Sequence, residues 1–208
     1  MAVGSTGVLY GTTEIGGDTG CDLGCGTVFS LTAPASPGGS WTETVYLFPG
    51  GEGGNLVAGG VVIGPGVLYG TPNEGGLCCG TVFSLERPSS PGGSVTENVL
   101  YGFTGGPSDG ANPAAGVVIG SGGELDGTTG AGGTFGYGAV FSLTPSASPG
   151  GRWSERVLYN FTGGDDGANP AGGVVLRSGG VLYGTTLGGG LGVGTVFSLT
   201  PAVSAGGA

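Results

Sequence analysis

The sequence contains no histidine and no lysine, and four arginines stand against fourteen aspartates and glutamates, for a net charge of −10 over 208 residues. A phosphate backbone would find almost no cations to pair with, so a nucleic acid partner is excluded. An anionic membrane surface would repel the chain for the same reason. Long apolar runs are also missing. Stretches such as Val61-Val62-Ile63 and Val117-Val118-Ile119 fall far short of the roughly 18 residues of a spanning helix, so no membrane insertion is expected. Without His or Lys, the commonest general base and the usual amine nucleophile are unavailable, which argues against an enzyme. The opening Met1-Ala2-Val3-Gly4-Ser5 has neither a basic nor an apolar leader region. No signal peptide is visible there, so it has been removed or the chain is a fragment.

What is abundant is glycine: 55 residues, with 13 prolines, against a hydrophobic content of 38%. Glycine does not recur at every third position, so a collagen-like chain is excluded. Aliphatic and aromatic runs punctuate the glycine at regular intervals, which predicts many short strands joined by tight turns in a single all-β domain. The interval is a repeat. Gly-Thr-Val-Phe-Ser-Leu stands at 26–31, 80–85 and 194–199, with Gly-Ala-Val-Phe-Ser-Leu at 138–143. Phe29, Phe83, Phe141 and Phe197 are thus 54, 58 and 56 residues apart. Upstream lies Val-Leu-Tyr-Gly-Thr, beginning at Val8, Val67 and Val181, with the divergent Glu124-Leu125-Asp126-Gly127-Thr128 in the third copy.

Each unit contains four strand candidates. Strand A is a small and aliphatic run such as Val61-Val62-Ile63, B is Val-Leu-Tyr-Gly-Thr, C is Gly-Thr-Val-Phe-Ser-Leu, and D starts at Trp41, Val95 or Trp153. Glycine turns such as Ser178-Gly179-Gly180 suit the A–B hairpins, where positive φ is needed. Strand D alternates with period 2, which predicts Trp153, Glu155, Val157, Tyr159 and Phe161 on one face. Four-stranded units without helical sequence between them predict a β-propeller-like fold, either a four-bladed ring or an arc of a larger propeller. The repeats span approximately 1–48, 56–103, 113–161 and 171–208, the first with only a stub of strand A and the last lacking strand D. Such ends could close the ring by borrowing strands across the termini, or be completed by a second chain in a homo-oligomer.

The succession Leu-Tyr-Gly-Thr-Thr, Gly-Thr-Val-Phe-Ser-Leu-Thr, Val-Leu-Tyr-x-Phe-Thr-Gly-Gly and Asp-Gly-Ala-Asn-Pro resembles the GloVer tandem repeats of bacterial choice-of-anchor surface proteins. The resemblance covers nearly the whole chain. It implies an extracellular or cell-surface protein held by an anchor, and it implies no characterised activity.

Four cysteines fall just before strand C of the first two copies: Cys21 and Cys25, then Cys78 and Cys79. Their spacing is poor for zinc. A local Cys21–Cys25 bridge is the economical reading in an oxidising compartment, whereas Cys78 and Cys79 could bond to each other, bond elsewhere or stay reduced. The D–A loops Asp109-Gly110-Ala111-Asn112-Pro113 and Asp165-Asp166-Gly167-Ala168-Asn169-Pro170 carry oxygen ligands of the kind calcium takes. The same residues are ordinary turn formers, and that reading is preferred. Glu43, Glu97 and Glu155 occupy one position in three copies and would be the carboxylates of an extracellular carbohydrate-active hydrolase. Their place on the outermost strand turns them away from the axis, leaving no convincing catalytic constellation. Tyr10, Tyr69, Tyr183 and the phenylalanines are expected in the core between blades. The expected function is a structural or ligand-binding surface module, with a glycan or a protein as ligand.

Overall fold

The computed structural model describes residues 1–4, 6–17, 26–47, 60–73, 78–86, 96–148 and 151–201. They form four antiparallel sheets arranged as a four-bladed β-propeller. Blade 1 comprises β1 (Ala2–Val3), β2 (Leu9–Thr13), β3 (Thr27–Thr32) and β4 (Thr42–Leu47). Blade 2 comprises β5 (Val61–Ile63), β6 (Val67–Gly70), β7 (Thr81–Glu86) and β8 (Thr96–Gly102). Between blades 2 and 3, β9 (Gly110–Ala111) pairs with β12 (Ala131–Gly132). Blade 3 holds β10 (Val118–Ile119), β11 (Leu125–Thr129), β13 (Ala139–Thr144) and β14 (Ser154–Asn160). Blade 4 is three-stranded, with β15 (Val175–Leu176), β16 (Leu182–Thr185) and β17 (Val196–Leu199).

The strands are short and apolar on both faces because blade stacks on blade, at junctions between blades 1 and 2, 2 and 3, and 3 and 4. In blade 2, the register Gly70↔Phe83 and Leu68↔Leu85 puts Leu68, Phe83 and Leu85 on one face, called front here. Tyr69 and Val82, one residue out of phase, point to the rear. The front of blade 2 buries Val61, Leu68, Phe83 and Leu85 against Tyr10 and Val28 on the rear of blade 1. The pattern advances by one blade at the next junction, where Val82 and Phe103 meet Leu125, Phe141 and Leu143. It advances again where Val140 and Phe161 meet Val174 and Leu182.

One recurring glycine is set by space rather than by φ. Gly11, Gly70, Gly127 and Gly184 each lie directly across from the strand C phenylalanine of their own blade. A Cβ at any of the four would come within 3 Å of that ring. The Leu-Tyr-Gly-Thr glycine is therefore the seat of the Phe side chain.

Strand D departs from the expected alternation. The register shifts between Val140 and Phe141, where Val140 faces Tyr159 and Phe141 faces Val157, leaving Leu158 as an extra residue. Blade 2 has the same bulge at Leu100. A bulge switches the phase of everything after it. Glu155 and Val157 stay at the front, whereas Phe161 packs rearward, edge-on to Phe197 of blade 4 at 5.1 Å between ring centroids. Phe103 meets Phe141 with the same separation one blade earlier.

Hydrogen bonds reinforce the stacking. Thr71 Oγ1 donates to the Ala115 carbonyl, and Thr128 Oγ1 to that of Gly172, each pair 44 residues apart. No strand crosses the termini among the described residues: β1 pairs within its own sheet, and blade 4 stops at β17.

Candidate functional site

The described cleft with the strongest functional character lies between blades 3 and 4 and has a volume of about 900 Å³. Its origin is a break in the repeat. Asp126 of β11 stands where the other copies carry Tyr10, Tyr69 and Tyr183. At the junction of blades 2 and 3, Tyr69 packs edge-on to Trp153 with 6.1 Å between ring centroids. At the junction of blades 3 and 4 both partners are missing, since the tyrosine is Asp126 and blade 4 has no described fourth strand. The space those rings fill elsewhere is open here.

The walls combine charge and apolar surface. A cross-strand row runs Val118, Asp126, Ser142 and Arg156. Asp126 and Ser142 are buried, whereas Arg156 is exposed at the mouth. Burial pushes the Asp126 carboxyl above its ordinary range; a Ser142 hydrogen bond and the Arg156 guanidinium pull it back, and Glu124 adds to the rise. Glu124 is itself fixed in the A–B hairpin, where its carboxylate accepts from Gly122 N at 2.8 Å. Arg177 approaches from blade 4, and Leu158, Leu176, Leu182 and Leu199 supply the apolar lining.

The D–A loops are organised by their aspartates. Asp109 Oδ2 accepts from the Thr104 backbone at 2.8 Å and from the Thr104 hydroxyl at 2.6 Å, and Oδ1 accepts from Gly110 N at 2.7 Å. Asp166 repeats the arrangement with the Thr162 backbone and hydroxyl, and also accepts from Tyr159 OH at 3.0 Å. Desolvation alone would raise the Asp166 carboxyl, but the bonds from Thr162 and Tyr159 outweigh it and hold it below the usual range. Asn112 and Asn169 adopt φ of 56° and 52°, the left-handed region that asparagine tolerates. Their N–H groups donate to the carbonyls of Cys79 and Tyr137. Asp165 is exposed beside this network. Both loops are thus ordered by bonds to their own side chains, the geometry of turn formers. Among the described residues, no three His, Cys, Asp or Glu gather as a metal-binding group.

A family model described as the Gloeobacter/Verrucomicrobia repeat matches residues 1–206. The chain belongs to this family. No curated protein and no solved structure matches it. The GloVer motifs can now be read in space: Leu-Tyr-Gly-Thr seats the phenylalanine, Gly-Thr-Val-Phe builds both blade faces, and Asp-Gly-Ala-Asn-Pro folds the crossing between blades.

Of the GloVer cysteines, Cys78 and Cys79 are bonded to each other, with Cα atoms 3.7 Å apart. Cys21 and Cys25 lie outside the described residues. The strand D glutamates stand opposite Leu31, Leu85 and Leu143 on the edge strands of three different blades. Glu43 is exposed, whereas Glu155 is half-buried between blades. Burial and the Asp109 carboxylate push the Glu155 carboxyl up to about 7. Its Oε1 is buried without a hydrogen-bond partner among the described residues. Tyr101 completes this acidic group, its phenol raised by burial, by Asp109 and by Glu155.

Proposed function

We propose that this chain is an exported, surface-displayed binding module rather than an enzyme, and that the cleft between blades 3 and 4 takes a neutral, polyhydroxylated ligand such as a glycan unit. The observation that carries the reading is Asp126: a buried carboxylate replaces the core tyrosine of the repeat and opens a cleft that repeat packing alone does not call for. A sugar offers hydroxyl groups that donate to Asp126 and Glu124 and accept from Arg156, and such charge-assisted bonds are the stronger kind. Its C–H faces would lie on the leucine lining. The mixed charge of the walls favours a neutral ligand over a strongly ionic one. Export and display rest on family likeness.

The test restores the repeat. Asp126→Tyr puts back the residue found in the other three copies and should fill the cleft. In a thermal-shift screen of neutral glycans, a ligand at about a hundred times its Kd should stabilise the native chain by about 2.7 kcal/mol. For a chain of this size that is a rise of roughly 5–10 °C. Asp126→Tyr should fold normally and lose the shift. An equal shift in the variant would place binding elsewhere, the absence of any shift in the native chain would defeat the reading, and release of reducing sugar would favour the hydrolase.

A further inference from the structure

Three junctions show what a GloVer blade face packs against, and two faces of this chain carry the same residues but stay open among the described residues. On the rear of blade 4, Val196 is 81% exposed, although its counterparts Val28, Val82 and Val140 are fully buried. Tyr183 beside it is 45% exposed and Val175 53%. On the front of blade 1, Val3 is 69% exposed and Val45 46%. Phe29 and Leu31 are half-covered there, whereas Phe83, Leu85, Phe141 and Leu143 in the same places are buried.

The two faces are complementary in detail. Between blades 2 and 3, Tyr69 on a rear face meets Trp153 at the start of strand D on the next front face. The exposed equivalents are Tyr183 on the rear of blade 4 and Trp41, 51% exposed, on the front of blade 1. Each open face presents one half of a pairing that the fold already makes internally. We infer that the rear of blade 4 docks onto the front of blade 1 of a second copy of this chain, head to tail, with Tyr183 of one copy against Trp41 of the next. The contact continues the internal series of blade junctions. It differs from strand exchange, because whole faces meet and no hydrogen-bonded edge is shared. Both faces remain usable after one contact forms, so assembly proceeds beyond the dimer to a closed ring or a filament. Copies of net charge −10 repel one another, so association should strengthen with added salt.

Sedimentation of the native chain should show a mass that rises with concentration. Two variants each block one face: Tyr183→Asp the rear, Trp41→Asp the front. Aspartate already occupies the position equivalent to Tyr183 in blade 3, and Val196→Asp replaces that variant if it fails to fold. Each alone should remain at the mass of one chain, and an equal mixture should give a 1:1 dimer and nothing larger, since one compatible pair of faces survives. In a Trp153→Phe background, the remaining tryptophan emission should shift to the blue as assembly proceeds, because Trp41 leaves water. A native chain that stays monomeric at every concentration and salt would overturn the proposal, as would a mixture that stays at the mass of one chain.

Discussion

Glu155 offers a direct measurement of the junction between blades 2 and 3. Its carboxyl is raised from 4.5 to about 7 by burial and then by the Asp109 carboxylate. Between these values the folded chain holds a proton that the unfolded chain has released. Stability therefore falls as pH rises through this window, and the penalty is complete above it. The full shift corresponds to about 3.4 kcal/mol at 1.36 kcal/mol per pH unit. Because the group is half-buried, solvent screening reduces this to an expected 1–2 kcal/mol or so. Glu155→Gln keeps the shape and removes the titration. Urea denaturation at pH 5 and pH 8 should show the native chain losing about 1–2 kcal/mol more than the variant over that interval. The variant should be the more stable of the two at pH 8. Equal losses in both proteins would show that Glu155 does not titrate against burial, and the account of this junction would fail. Asp109→Asn offers an internal check, since removing the neighbouring charge should lower the midpoint of the Glu155 transition without abolishing it.

Other perturbations follow from the same packing. Gly127→Ala forces a methyl group into the Phe141 ring and should destabilise by about 2 kcal/mol, seen as a fall of roughly 4–8 °C in Tm; no change would mean that the ring moves freely. Asp109→Ala strands the part-buried Thr104 donors and the buried Gly110 N–H and should lose about 2 kcal/mol, more than Asp166→Ala, whose hydrogen bonds are exposed. Replacing Cys78 and Cys79 together with serine should alter stability by about 1 kcal/mol or less in chemical denaturation, because a bridge between adjacent residues closes the smallest possible loop.

The blade itself was legible in the sequence because its determinants recur. Val-Leu-Tyr-Gly-Thr and Gly-Thr-Val-Phe-Ser-Leu return from copy to copy, and the four phenylalanines mark the period of the fold. The reversal of strand D at Leu158 was not legible. A bulge leaves the composition of a strand intact and alters only which residue faces which, and that is decided by pairing with β13. The packed aromatic pairs were equally hidden, since Tyr69 and Trp153 lie far apart in the chain and meet through blade stacking.

The candidate site escaped for the opposite reason. Repetition draws attention to residues that recur, such as the strand D glutamates, and the structure explains much of that recurrence by packing and turn geometry. Function within a repeat fold is better sought where one copy departs from the others. Asp126 in place of tyrosine was visible as a divergence, but its meaning depends on what the tyrosine does elsewhere, namely fill the wedge between a rear face and the next strand D. Once that role is known, an aspartate there implies an open wedge with a carboxylate inside it. The same reasoning applies at Tyr183, where the residue is kept and no described ring packs against it. In blade 3 the lost ring makes a cleft suited to a small ligand. In blade 4 the retained ring makes a surface suited to another blade.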